Sequence, residues 1–392
     1  MGAPRIAQSQ LLLLGSLAVI AVVAAFADGY NPYFLDIALS CGINVILAVS
    51  LNLINGFTGQ FSLGHAGFMA IGAYSAAMLT TAGGPTLLPL AGGIPGVLFL
   101  FALLLGGVCA ALVGLIVGVP SLRLKGDYLA IVTLGFGEIV RLLADNLSNI
   151  TGGGRGLSQI AYPVVGESAS KPNGVFSAGN TSQPLNSGTW WFWLSIVLII
   201  IVLLVVGNLE RSRVGRAWVA IREDEDAAEI MGVPTFKFKL WAFLIGASIG
   251  GLSGALYAGQ VQFVVPSTFN VINSMLFLCA VVLGGQGNKL GVILGAFIIV
   301  YLPNFFLGRT ELFGIPINGN DIANYKYLFF GLALVVLMIF RPQGLIPARQ
   351  KLLTYGRSIY VATRRAALAL AATPAPAPAA AEPSDTTEGG AR

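Results

Sequence analysis

The residues able to do chemistry in this chain are few and scattered. There is one histidine, His65, and there are three cysteines, Cys41, Cys109 and Cys279, each inside an apolar run. No cysteine pair has metal or redox spacing, and His65 has no Cys or carboxylate neighbour in sequence. No metal site and no cofactor site is therefore expected. No nucleophile–base pair can be assembled from the sequence, and no G-x-x-x-x-G-K-[ST] loop occurs, so covalent catalysis and ATP binding by this chain are not expected. What remains is polarity in apolar surroundings. Glu138 and Arg141 sit three apart within one apolar run, on one helix face, where they can pair. Charge in such a run is costly and usually faces a bundle interior. Two roles are open for the pair: a structural ion pair, or a part in gating or subunit contact.

The elements that hold these residues follow from composition. Only 10% of residues are charged, 56% are hydrophobic and 50 are glycine. Soluble domains carry about 25% charge, so this chain could not cover its own surface in water. Apolar runs of about 20 residues suit a hydrocarbon core about 30 Å thick. The expected fold class is an all-α integral membrane protein, a polytopic helical bundle of about 10 transmembrane segments (8–10). The spans fall near 11–27, 34–54, 66–82, 97–119, 128–148, 189–207, 241–259, 270–283, 290–307 and 325–340. The run 11–27 also has the look of a secretory signal, but it is long for one, and Asp28-Gly29-Tyr30-Asn31-Pro32 makes a poor cleavage site. The eighth span is short, is diluted by Asn270 and Asn273, and reads as a crossing or as a broken, re-entrant helix.

Basic residues orient the ladder. With 208–240 inside, ten crossings put both termini in the cytoplasm and 17 of the 22 Lys and Arg on that side. The net charge of +5 is juxtamembrane and does not point to nucleic acid. Residues 1–347 form the membrane domain. Residues 149–188 form a Gly/Ser/Pro/Asn-rich external loop, long enough to be functional. Residues 348–370 are a basic juxtamembrane segment suited to lying on anionic lipid, and 371–392 are an Ala/Pro-rich tail with the composition of disorder.

Three motifs carry mechanism. The run Asn55–Tyr74 places glycine at 56, 59, 64, 67 and 72. Small residues at that spacing make a flat face for close packing, while Gly56–Gln60 is too polar for a lipid-facing helix and suits unwound backbone buried in protein or lining a cavity. Gly56, Gly59, Gln60, Ser62, His65 and Gly67 are the candidates for a translocation path or gate; for His65 a hydrogen-bonded packing role stays open. The turn Thr151-Gly152-Gly153-Gly154-Arg155-Gly156 lies outside, away from cytosolic nucleotide, and suits docking of an external partner rather than phosphate binding. The internal loop 208–240 holds six basic and six acidic residues. Ala217, Ile221, Ala228, Ile230 and Met231 mark the apolar side of short helices, and Gly232 with Pro234 is a stop signal. Such a loop is either a solvated connector or a helical piece that docks into a groove on a partner.

The run Gly56–Phe68 resembles the signature of the integral permease subunits of branched-chain amino acid ABC importers. So do Leu122–Ala130, Thr151–Gly153, Gly215–Ala217 through Ile230–Val233, Val282–Gly287 and Phe340–Leu345. In order and spacing they are similar to the LivM-type subunit rather than its LivH-type partner, over about residues 30–347. The resemblance implies an importer of leucine, isoleucine and valine in a bacterial inner membrane. It implies a heterodimeric pore with a LivH-type permease, two cytoplasmic ABC ATPases that hydrolyse ATP, and a periplasmic or lipid-anchored solute-binding protein. It also implies that Asp226-Ala227-Ala228 and Gly232 match a Glu-Ala-Ala-x-x-x-Gly ATPase-coupling loop, with Asp for Glu and a different sequence after Gly232; Arg216 falls in the same loop. A urea or short-amide importer of the same family remains open, as does, from the residues alone, a secondary transporter; that class calls for ion-coupling carboxylates at mid-membrane, for which only Glu138 is a candidate, and Arg141 is its partner. A membrane enzyme has little to draw on, with one His and no clustered acids.

Overall fold

In a chain this poor in charge, backbone N–H and C=O groups have to be satisfied within the segment that carries them, which selects helices. The computed structural model describes residues 32–81, 95–124, 126–158, 160, 184–306, 311–312, 315–316, 325–341 and 344–346. The segment 11–27, most of the external loop 149–188, and both C-terminal segments, 348–370 and 371–392, lie outside the described residues. The helices are α1 (Pro32–Asn52), α2 (His65–Thr81), α3 (Pro95–Ser121), α4 (Asp127–Asn146), the single turn α5 (Ser148–Thr151), α6 (Pro184–Arg211), α7 (Arg213–Glu223), α8 (Glu225–Ile230), α9 (Thr235–Val261), α10 (Val271–Gly284), α11 (Lys289–Phe306) and α12 (Lys326–Phe340). A two-residue antiparallel pair, Glu311–Leu312 with Ile315–Pro316, joins α11 to α12. Each expected span from 34–54 onward carries a helix. All described residues but none of 349–392 belong to the first of the chain's two units, Met1–Ala348.

Among the described residues, four helical stretches are long and apolar enough to cross a bilayer: Ile37–Phe57, Phe99–Ser121, Phe192–Arg211 and Thr235–Val261. The other expected spans fall short for physical reasons. α4 carries Glu138, Arg141 and Asp145, and α2 is 17 residues long. α10 has 14 residues, about 21 Å at 1.5 Å per residue, against a core of about 30 Å. Its short length agrees with the dilution by Asn270 and Asn273. Asn270 turns out to be its N-cap, accepting from the Asn273 N–H at 2.8 Å.

Glycine sets the centre of the bundle. α9 packs most extensively against α3 and α2, and α1 lies against α6, α9 and α11. A Cβ on Gly254 would lie 1.9 Å from the Met69 carbonyl oxygen, and one on Gly251 would lie 2.5 Å from Ala110 Cβ. No larger residue fits where these helices cross. The outer sides of α3 and α4 keep large apolar groups exposed, among them Ile116, Leu104, Ile131 and Ile139, as suits lipid or a membrane partner. Cys41 and Cys279 are buried, Cys109 is half-buried, and all three are free thiols.

Candidate functional site

At Asn52 the regular helix of α1 gives way to a π turn, Leu53–Phe57. Thr58–Gly64 then runs as non-helical chain back to α2, whose first residue is His65. The unwound backbone expected at Gly56–Gln60 holds for Thr58–Gln60, while Gly56 and Phe57 complete the π turn; polar side chains bond the unwound part in place of the helix ladder. The Thr58 hydroxyl donates to the Ile54 carbonyl at 2.6 Å, and the Ser62 N–H donates to Asn55 Oδ1 at 3.2 Å. Across the bundle, the Gly287 N–H donates to Asn52 Oδ1 at 2.8 Å, and the Leu63 N–H to Thr133 Oγ1 at 3.1 Å. The segment is wedged between α1, α4 and the turn after α10.

Its residues are enclosed. Gly56, Gln60, Ser62, His65 and Gly67 are buried, while Gly59 is exposed. Gly59 and Gln60 lie on a cleft of about 140 Å³ shared with Leu124, Ile221, Arg222 and Lys239. His65 hydrogen-bonds Ser50 Oγ through Nε2 and stacks edge-on against Phe68, with ring centroids 5.8 Å apart. Gly64 and Gly67 pack onto Thr133 and Gly137 of α4. Several polar atoms have no hydrogen-bond partner among the described residues: Asn52 Nδ2, Asn55 Nδ2, Gln60 Oε1, Ser62 Oγ and His65 Nδ1.

The loop 208–240 is helical, as expected. Ser212 caps α7, its Oγ accepting from the Val214 and Gly215 N–H groups, and Asp224 caps α8 by accepting from the Ala227 N–H at 3.0 Å. α7 buries Gly215, Ala217, Trp218 and Ile221, and α8 buries Ala228. Trp218 is 1% exposed and its indole N–H donates to the Phe238 carbonyl at 2.8 Å. Lys239–Glu225 (2.5 Å) ties the loop to α9, and Lys289–Glu210 (2.6 Å) ties the end of α6 to α11. Ile230 and Met231 depart from expectation. They are 86% and 83% exposed, not part of the buried side. With six residues, α8 is less than two turns; Ala228 is its one buried residue, and Glu225 holds it to α9 through Lys239. Gly232 follows in left-handed backbone, φ 85°, with open space around it, and Arg216 and Asp226 are exposed on the same surface.

Because Trp218 is what anchors α7, Trp218→Ala is expected to loosen the loop while the bundle stays folded. Emptying such a site costs about 3–5 kcal/mol. Limited proteolysis of membranes should then cut within 208–240 at protease levels that leave the wild-type chain intact.

At the far end of the bundle, Thr151 is 5% exposed, its hydroxyl directed at the Ala144 and Leu147 carbonyls. Gly152 and Gly153 take left-handed backbone, φ 74° and 59°. The turn is fixed by the bridge Leu157–Val264, whose two N–H···O bonds measure 2.9 and 3.0 Å. Within α4, Arg141 Nε donates to Glu138 Oε1 at 2.8 Å. The pair is only partly covered, with side chains 23% and 34% exposed, so it sits toward an outer face and not in the packed interior. Among the described residues no cluster of His, Cys, Asp or Glu could hold a metal.

Sequence reasoning missed Ser50, Asn52, Arg222, Glu225 and Lys239. Arg222 had a signal: it follows Trp218 by four, which places both on one face of α7.

A family model described as the permease component of branched-chain amino acid transport systems matches residues 33–338. The chain belongs to that family. It is 38% identical over 346 residues to the high-affinity branched-chain amino acid transport system permease protein LivM of Escherichia coli K12, covering 86% of this chain and 75% of the relative. LivM of Salmonella typhimurium matches with the same identity and coverage. The autoinducer 2 import system permease protein LsrC of Yersinia pseudotuberculosis is 26% identical over 246 residues, 62% of this chain and 60% of the relative. No solved structure matches. Family membership and the apolar helices make the chain a multi-pass membrane protein of the permease type.

Proposed function

We propose that this chain is one permease subunit of an ATP-driven importer for leucine, isoleucine and valine. The observation that carries the reading is the 38% identity to LivM permeases across 86% of the chain. In this reading the chain crosses a bacterial inner membrane ten times with both termini in the cytoplasm. It pairs with a LivH-type permease, and two cytoplasmic ABC ATPases hydrolyse the ATP. A periplasmic or lipid-anchored binding protein delivers solute at Thr151, Gly152 and Gly153. The ATPases dock on α7 and α8 through Arg216, Asp226, Ala227, Ala228 and Gly232; the exposed Ile230 and Met231 support this, since two large apolar side chains at a polar tip suit a hydrophobic groove. Residues 1–347 form the membrane domain, 348–370 lie on anionic lipid, and 371–392 remain a disordered tail. Gly56, Gly59, Gln60, Ser62, His65 and Gly67 serve as the gate, not the wall, of the path; the burial of all but Gly59 supports that choice. The part-exposed Glu138–Arg141 pair lies where α4 meets the partner permease or the path.

For that pair, Arg141→Ala strands a carboxylate in an apolar helix and is expected to cut uptake more deeply than the double change Glu138→Ala/Arg141→Ala, which removes both charges. A double-mutant cycle on uptake that includes Glu138→Ala checks this; single-change losses that simply add up in the double change would leave the pair no functional coupling.

The reading is tested by labelled-leucine uptake in cells with the intact operon and in cells lacking only this chain, with excess urea as competitor. Loss of leucine uptake that urea does not inhibit is expected. Unchanged leucine uptake, with labelled-urea uptake lost instead, would move the chain to a different solute.

A further inference from the structure

Among the described residues, the helix pair α7 and α8 reaches the signature segment through a polar contact made by Arg222. Arg222, near the end of α7, donates from Nη1 to the Gly56 carbonyl at 2.6 Å. Its aliphatic stem covers Gly59, where an added Cβ would lie 3.0 Å from Arg222 Cγ and where φ is 71°. The acceptor is part of the π turn Leu53–Phe57. A Cβ on Gly56 would also strike Asn52 Oδ1 at 2.0 Å and the Gly287 nitrogen at 2.6 Å, so α1, the turn after α10 and α7 converge on this one glycine. Behind α7, Trp218 and the Lys239–Glu225 pair make the loop and the start of α9 a single lever.

We propose that Arg222 is the pin through which displacement of α7 and α8 by a cytoplasmic partner is delivered to Gly56–His65. A guanidinium with a short charge-assisted bond and a packed stem transmits both push and pull. The element it grips is suited to switching. A π turn holds one residue more than an α turn and relaxes by a register shift. The segment beyond it, Thr58–Gly64, is non-helical and held by side-chain bonds such as Ser62 N–H to Asn55 Oδ1 and Leu63 N–H to Thr133 Oγ1, so it can rearrange without breaking a helix ladder. Arg222 is a positioning residue; it is neither a solute ligand nor an ATPase contact.

The inference rests on the importer reading, and its test separates the two. The assembled complex, with binding protein and ATPases, is reconstituted in vesicles. ATP hydrolysed per leucine imported is measured for wild type, Arg222→Ala and Arg222→Lys. The expected result is a ratio raised about tenfold or more in Arg222→Ala, a smaller rise in Arg222→Lys, which keeps the charge but loses the fork, and undiminished co-purification of the ATPases. A ratio within about twofold of wild type in both variants overturns the pin, as does loss of ATPase co-purification in both, which would make Arg222 a structural staple. Failure of the wild-type complex to import leucine would instead count against the importer reading.

Discussion

Gly251→Leu is expected to remove the chain from the membrane fraction. Gly251 sits where α9 crosses α2 and α3. Its added Cβ alone would lie 2.5 Å from both Ala110 Cβ and the Gly106 carbonyl oxygen, and a Cβ on facing Gly72 would lie 2.0 Å from the Gly251 oxygen. Leucine adds three carbons more, against backbone that cannot yield without separating the helices. Overpacking costs about 1–3 kcal/mol where the surroundings relax, and more where they do not. Even about 1–2 kcal/mol changes cellular abundance several-fold. Immunoblots of membranes should show a loss of about tenfold or more, scaling with that cost. Gly331→Leu is the control. It lies on exposed α12 with nothing within 4 Å of its added Cβ, and its level should match wild type.

The second large effect concerns α8. Ile230→Asp/Met231→Asp is expected to abolish uptake without lowering the amount of chain in the membrane. Both side chains are more than four-fifths exposed, so the fold does not depend on them, whereas a docking contact would lose two apolar anchors and gain two charges to desolvate. Anchors of that kind are each worth about 2 kcal/mol or more in an interface. Gly232→Val should act the same way by another route: open space surrounds it, but φ of 85° disfavours a β-branched residue, so the tip turns away from its partner. Asp226→Arg reverses charge on the same surface. Co-purification of ATPases and leucine uptake, read beside immunoblots, check all three. Uptake at wild-type level in every variant would mean α8 is a solvated connector.

Much of this was legible in the sequence because a membrane makes the code simple. Apolar runs gave helices at α1–α4, α6 and α9–α12, and the polarity of Gly56–Gln60 marked the break after α1. The pairing of Glu138 with Arg141 followed from spacing alone. Long-range packing was not legible: nothing local says that Gly254 meets Met69, or that Gly287 bonds Asn52. The candidate path residues could be read as polar and glycine-rich, but their burial depends on α4 and on the turn after α10. The apolar character of Ile230 and Met231 points inward by pattern, but both side chains face solvent. In this six-residue helix Ala228 is the buried residue and Glu225 ties back to Lys239, while Ile230 at its end stays exposed.

In the proposed reading this chain carries leucine only as part of an ATP-driven assembly. The most direct measurement is labelled-leucine accumulation in vesicles reconstituted from purified subunits, with and without this chain, with ATP or with an imposed proton or sodium gradient. Accumulation is expected to need both this chain and ATP, with none under a gradient alone. Accumulation by vesicles holding only this chain under an ion gradient, or undiminished ATP-driven accumulation when the chain is left out, would contradict it.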